Sequence, residues 1–200
     1  MKRDDISPNE ALQILKEGNQ RFLQNKSINT DLPKQLKQTA EGQFPFASIL
    51  GCIDSRTASE HIFNLGIGEI INIRIAGNIV NEDVLASLEY ACIVLNTKLV
   101  IVLGHTRCGA IESACDQIEM GNITVMLDKI QPAIKAETKT IDNRTSSNIP
   151  FINEVSLHNI SNSIDLIRKD SKVIRDLETS GKIRILGAIY DLATGEVKFL

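Results

Sequence analysis

The chain is expected to fold as an α/β domain: a mostly parallel central β-sheet flanked by helices, with an extending N-terminal helix. Short apolar runs at residues 46–50, 98–103 and 183–190 alternate with helix-spaced segments, the pattern of strands joined by crossover helices. Apart from Ser48, Lys98 and Arg184 these runs are apolar at consecutive positions rather than at every second one, as strands covered on both faces are. The 200 residues suffice for one domain with a sizeable core. They divide into a helical arm over 1–45 and an α/β core over 46–200.

Ser7-Pro8-Asn9-Glu10 reads as a capping box, with Ser7 at the N-cap, Pro8 in the first turn and Glu10 reaching back. Leu12, Leu15, Phe22 and Leu23 then recur at helical spacing, and the stripe needs a surface to bury it. A neighbouring subunit is expected to provide that surface. Residues 24–45 are polar and hold Pro33 and Pro45, which predicts a connector with room for one short helix. A strand over 46–50 stops at Gly51, and a brief helix over 59–65 stops at Gly66. The isoleucine-rich stretch 69–75 predicts a second strand, leading into Ala76-Gly77-Asn78. Val84, Leu88, Ala91 and Leu95 mark a helix of about three turns by their spacing. Residues 98–103 are the clearest buried strand, followed by a helix expected from Gly109 to Met120 and ended by Gly121-Asn122. From 123 to 180 the pattern is helical, interrupted by Pro132 and by the polar run 142–148. A last core strand over 183–190 precedes a turn at Gly195 and a short tail.

A net charge of -3 without a basic cluster gives nucleic acid no electrostatic footprint. No apolar run approaches the roughly 20 residues that span a bilayer, so no membrane partner is expected. Residues 1–5 are followed by no apolar stretch of the kind a secretory leader carries, and a cytoplasmic location is expected. In that reducing setting, four cysteines point to metal ligation, catalysis or burial rather than to disulfides.

Chemistry concentrates in two hexapeptides, Gly51-Cys52-Ile53-Asp54-Ser55-Arg56 and Gly104-His105-Thr106-Arg107-Cys108-Gly109. Each follows a predicted strand, and ligands of open parallel sheets lie beyond the carboxyl ends of strands. On an extended exit from the first strand, Cys52, Asp54 and Arg56 point to one side. His105 and Cys108, three apart, share a face of a tight turn. Two thiolates and one imidazole form a three-ligand set for zinc, leaving a fourth position for a carboxylate or a water. Asp54 either fills that position or accepts a hydrogen bond from the bound water, and Arg56 is placed to pair with it. Two thiolates donate more charge than imidazoles do, so activity is expected to rise toward alkaline pH.

These residues resemble the β-class carbonic anhydrases. The family's C-x-D-S-R signature stands as Cys52-Ile53-Asp54-Ser55-Arg56, and its H-x-x-C as His105-Thr106-Arg107-Cys108. The likeness extends to residues 10–22 and 74–78, to Ser87-Leu88-Glu89-Tyr90 and to 187–195. It implies zinc-dependent, reversible hydration of carbon dioxide to bicarbonate and a proton by a zinc-bound hydroxide. One Zn2+ per chain would sit on Cys52, His105 and Cys108. Asp54 and Arg56 match the family's catalytic dyad, and in some members the aspartate occupies the fourth zinc position. Gln43, Ile71, Gly77 and Tyr90 match substrate-site positions, Gln43 one that enters a neighbour's cleft and Tyr90 an aromatic wall. A homodimer or homotetramer follows, with the N-terminal helix reaching toward a partner. The chain departs from the pattern at Thr57-Ala58, where valine and proline are common, and at Ile71, aromatic in plant-type members. It also contains no tryptophan, so the tryptophan-containing bicarbonate site of allosteric members cannot be assembled in that form.

Cys92 and Cys115 are expected to pack, and His61 and His158 to stand apart from the metal. Three other activities fit parts of this pattern: hydrolysis of carbonyl sulfide or carbon disulfide, a structural zinc domain, and cysteine-nucleophile or redox chemistry. The Asp-Ser-Arg form and the glycine before His105 favour the anhydrase over the first.

Overall fold

A computed structural model describes residues 6–26, 28 and 31–200. Residues 1–5, on which the expectation of no leader partly falls, and positions 27, 29 and 30 of the polar connector lie outside the described residues. The elements in order are α1 (Pro8–Leu23), α2 (Leu32–Thr39), β1 (Ala47–Gly51), α3 (Ser59–Ile62) and β2 (Ile70–Arg74). After a 3-10 turn at Ala76–Asn78 come α4 (Glu82–Ile93), β3 (Leu99–His105), α5 (Gly109–Cys115), α6 (Gly121–Asp128) and α7 (Gln131–Ala136). The long α8 (Ile149–Asp170), then α9 (Lys172–Thr179), β4 (Arg184–Tyr190) and β5 (Val197–Phe199) complete the chain.

The sheet runs β2-β1-β3-β4-β5. Its first four strands are parallel, and β5 joins β4 antiparallel. Alternation along β3 divides the core. Leu99, Ile101 and Leu103 face a cluster with Leu15, Phe46 and Phe63, while Val100 and Val102 face one with Leu88, Ile160 and Ile174. A strand buried on both faces must be apolar at every position, which is why this run stood out.

The N-terminal capping box is present, Ser7 and Glu10 each satisfying the other's backbone. The N-terminal half of the α1 stripe closes on its own chain. Ala11 and Leu15 are fully buried, and Leu12 packs against the same cluster. Asn19 stitches the helix down: its Nδ2 donates to Ile62 O and Gly195 O at 3.2 and 2.9 Å, and its Oδ1 accepts from Val197 N at 3.0 Å. Phe22 and Leu23, at the far end, stay exposed.

Several boundaries differ from expectation, among them α3, which ends at Ile62 rather than at Leu65. Helix α5 stops at Cys115 rather than Met120, because the chain turns left-handed at Gln117 (φ +55). Gly121 consequently opens α6 instead of closing α5. Pro132 sits in the first turn of α7, where its missing N–H has no helical partner to lose, so it starts a helix instead of interrupting one.

Candidate metal centre

Strand register explains how the two hexapeptides meet. Gly51 is level with Leu103 on the neighbouring strand, and β3 runs on to His105, paired with Tyr190. Cys52 therefore leaves β1 beside Gly104 and His105. Close packing under this tip requires a glycine: a Cβ on Gly104 would lie 2.8 Å from Ile160 Cδ1 of α8.

The ligand atoms of Cys52, His105 and Cys108 lie within 4.8 Å of one another, and this is the cluster of metal-ligating side chains found among the described residues. All three residues are buried, at 4%, 1% and 1% exposure. Both thiols are free, and their sulfurs are 3.9 Å apart. Two thiolates each ~2.3 Å from a tetrahedral zinc would stand ~3.8 Å apart, so the spacing fits. His105 Nδ1 lies 2.9 Å from Thr106 O. A carbonyl only accepts, so Nδ1 carries the proton and Nε2 presents a lone pair. Nε2 is buried with no hydrogen-bond partner, as the ligating nitrogen of a metal-bound histidine is.

The electrostatics agree. Hydrogen bonding to Cys108 holds the Cys52 thiol well below its usual range, with lesser help from His105, Asp54 and Gly77. The same bond pushes Cys108 upward, reinforced by burial. A cation bound between the two sulfurs would favour ionisation of both. Gly77 N–H donates to Cys52 Sγ at 3.4 Å. Cys108 stands at the N-cap position of α5, where its side chain makes no capping hydrogen bond.

Asp54 is turned to Arg56. Arg56 Nε and Nη2 donate to Asp54 Oδ1 and Oδ2 at 2.9 and 2.7 Å, and the Arg56 backbone N–H adds a third bond to Oδ1 at 2.9 Å. This fork holds the Asp54 carboxyl at about 2. The remaining expected site residues divide. Gly77 touches Cys52, whereas Gln43, Ile71 and Tyr90 line a separate cavity of about 490 Å³ between β2 and α4. Neither the three sulfur and nitrogen ligands nor the Asp54–Arg56 pair borders that cavity. His61 and His158 are not part of the cluster. Cys92 and Cys115 are buried in packing.

Several residues that support the loop carried no distinctive sequence signal. Arg74 Nε and Nη2 donate to the carbonyls of Cys52 and Asp54 at 2.9 and 2.6 Å. Thr57 Oγ1 donates to the same two carbonyls at 3.3 and 2.9 Å, which gives its hydroxyl a use that valine would lack. Arg74 falls within the 74–78 stretch that carries the family likeness, and Thr57 is one of the departures from the pattern, but neither pointed to these carbonyl contacts.

Fold and site define a class: a parallel α/β protein with a buried two-cysteine, one-histidine cluster at its strand tips, beside an aspartate–arginine pair. Residues 47–197 match the family model described as carbonic anhydrase. Carbonic anhydrase 2 of Mycobacterium tuberculosis is 32% identical over 200 residues, covering 96% of this chain and 92% of the relative. The carbonic anhydrase of Mycolicibacterium smegmatis is 30% identical over 198 residues, covering 96% and 93%. Among solved structures, the β-carbonic anhydrase CcaA superposes with a TM-score of 0.76 at 24% identity, over 94% of each chain. One of two tetrameric β-carbonic anhydrases from Sordaria macrospora does so at 0.72 and 22% identity, over 96% of this chain and 92% of that one. The chain belongs to the carbonic anhydrase family of enzymes, in its β class.

Proposed function

We propose that this enzyme hydrates carbon dioxide reversibly to bicarbonate and a proton, using one zinc ion held by Cys52, His105 and Cys108. The observation that carries the reading is the convergence of those three ligand atoms with His105 Nε2 unpartnered. Bound there, zinc would supply a water acidic enough to act as a nucleophile near neutral pH.

The chain's own residues set the geometry of attack. Asp54, ionised far below neutrality, is an acceptor and a poor base. Its Oδ2 takes one bond from Arg56 Nη2 and keeps capacity for the O–H of the attacking water. Accepting that hydrogen fixes the water's orientation and aims its lone pair at carbon. The new C–O bond forms as one carbon–oxygen π pair moves to oxygen, and the water's remaining proton leaves to solvent. Arg56 locks the carboxylate in place, and Arg74 and Thr57 hold the loop carbonyls beneath it.

Gln43, Ile71 and Tyr90 gather in one cavity apart from the ligands. Their grouping supports a homo-oligomer, dimer or tetramer, in which this wall faces a partner's strand tips, while Gly77 borders the site in its own chain. A cytoplasmic location agrees with the free cysteines, and no helix among the described residues is long and apolar enough to cross a membrane.

Stopped-flow measurement of carbon dioxide hydration between about pH 7 and 9, near the range where zinc-bound water ionises, tests the reading. Asp54→Ala is expected to retain metal and lose roughly 10² or more of the rate, the order a positioning group supplies. Full activity in that variant would refute the role given to Asp54.

A further inference from the structure

The turn that carries Gly77 is held by side chains that the proposed reaction does not use. Gly77 and Asn78 lie at φ +66 and +44, two consecutive residues in a region that L side chains rarely adopt. Such backbone persists where its surroundings hold it. Here the holder is α8. Asn159 Nδ2 donates to Gly77 O at 2.7 Å, and Ser163 Oγ, one helical turn on, donates to Asn78 O at 3.0 Å. Both residues are 1% exposed, so no solvent stands by to replace either bond. With both carbonyls drawn toward α8, the Gly77 N–H is left aimed at Cys52 Sγ, 3.4 Å away.

We propose that Asn159 and Ser163 are positioning residues for the metal centre. They hold the 76–78 turn so that Gly77 N–H donates to Cys52 Sγ, which fixes that sulfur's orientation and draws charge from it. Partners outside the ligand set tune a metal in this way. Neither side chain touches a reacting atom. Helix α8 is seated independently of them, through Ile152, Val155, Ile160 and Ile167, all fully buried, so loss of one hydroxyl should leave the helix in place.

The inference rests on the metal-site reading for its effect on the sulfur, but the backbone part can be measured without metal. Amide hydrogen exchange in the metal-free protein reads the Gly77 N–H directly, and the sulfur-to-metal charge-transfer absorption of the cobalt(II)-loaded protein reads Cys52. In Ser163→Ala, exchange at Gly77 is expected to quicken about five- to ten-fold, the order one lost hydrogen bond produces. The β3 amides should keep their protection, and the charge-transfer band should move. Ser163→Thr should restore both, and Asn159→Ala should exceed Ser163→Ala. If Asn159→Ala does not fold, the Ser163 pair decides. Unchanged Gly77 exchange and an unmoved band in Ser163→Ala would overturn the proposal, as would exchange that quickens equally across α8 and β3. If the unaltered protein takes up no cobalt, the metal reading fails, and the exchange measurement alone judges the role of α8.

Discussion

A carboxylate gripped by a guanidinium is a dependable acceptor and an indifferent base, and this pairing supports the role proposed for Asp54. The Arg56 fork holds its carboxyl at about 2, against an ordinary 3.8. A depressed folded-state value means that the pair's contribution to stability is fully present above pH ~4 and lost as pH falls toward 2. The melting temperatures of metal-free protein and Asp54→Asn should therefore differ at pH 5 and converge between pH 4 and 2. A gap that persists unchanged to pH 2 would show that the carboxylate charge contributes nothing. Arg56→Lys should not restore the arrangement, since an ammonium cannot reproduce a two-pronged contact. A reduced hydration rate with metal retained is the expected result, read by stopped flow and metal analysis. Cys52, His105, Cys108, Asp54 and Arg56 were legible in the sequence because each belongs to a short motif whose spacing carries the chemistry. Arg74 and Thr57 were not, because their value lies in which carbonyls they reach after folding.

Elements were legible in proportion to how local their causes are. The capping box announced α1, and unbroken apolar runs announced β1 and β3. The end of α5 depends on an ordinary glutamine adopting φ +55, and β5 on pairing with β4 across a turn; neither leaves a periodic trace. Helix α8 is the plainest case. Its Asn159 and Ser163 are polar residues of a helical stretch with no motif to mark them, and both are buried against the 76–78 turn. Asn153 on the same helix accepts from Arg107 N at 3.1 Å, so α8 contacts both the 76–78 turn beside Cys52 and the loop between His105 and Cys108. Its seat on the sheet is tight. A Cβ on Gly104 would meet Ile160 Cδ1 and Cγ1 at 2.8 and 2.9 Å, and overpacking of this kind costs about 1–3 kcal/mol. Gly104→Ala should destabilise by that order in denaturant unfolding. Adding Ile160→Val, which removes Cδ1, should recover part of the loss. Strict additivity of the two changes would mean that the contact is not the cause.

Across the whole molecule, two of the exposed apolar surfaces among the described residues bear on assembly. Helix α2 buries none of its residues and exposes Leu32 and Leu36 at 52% and 58%, and Tyr90 at the mouth of the Gln43–Ile71 cavity is 56% exposed. Burying such side chains is favourable, and a second copy of this chain is the proposed cover. Sedimentation should give at least twice the 22.1 kDa of one chain, and Leu32→Glu with Leu36→Glu should weaken association. A monomer at micromolar concentration would remove that support. The partner surface was beyond local pattern, since exposed leucines in a polar connector look alike whether or not another chain covers them.

Two strand tips bring two sulfurs and one nitrogen together, and a single ion is proposed to join them. X-ray absorption at the zinc edge, with metal counted per chain, tests it most directly. One zinc per chain is expected, with two sulfurs at ~2.3 Å, a histidine nitrogen at ~2.0–2.1 Å and oxygen completing the shell. A protein with no stoichiometric metal, or a shell lacking either the paired sulfurs or the nitrogen, would contradict it.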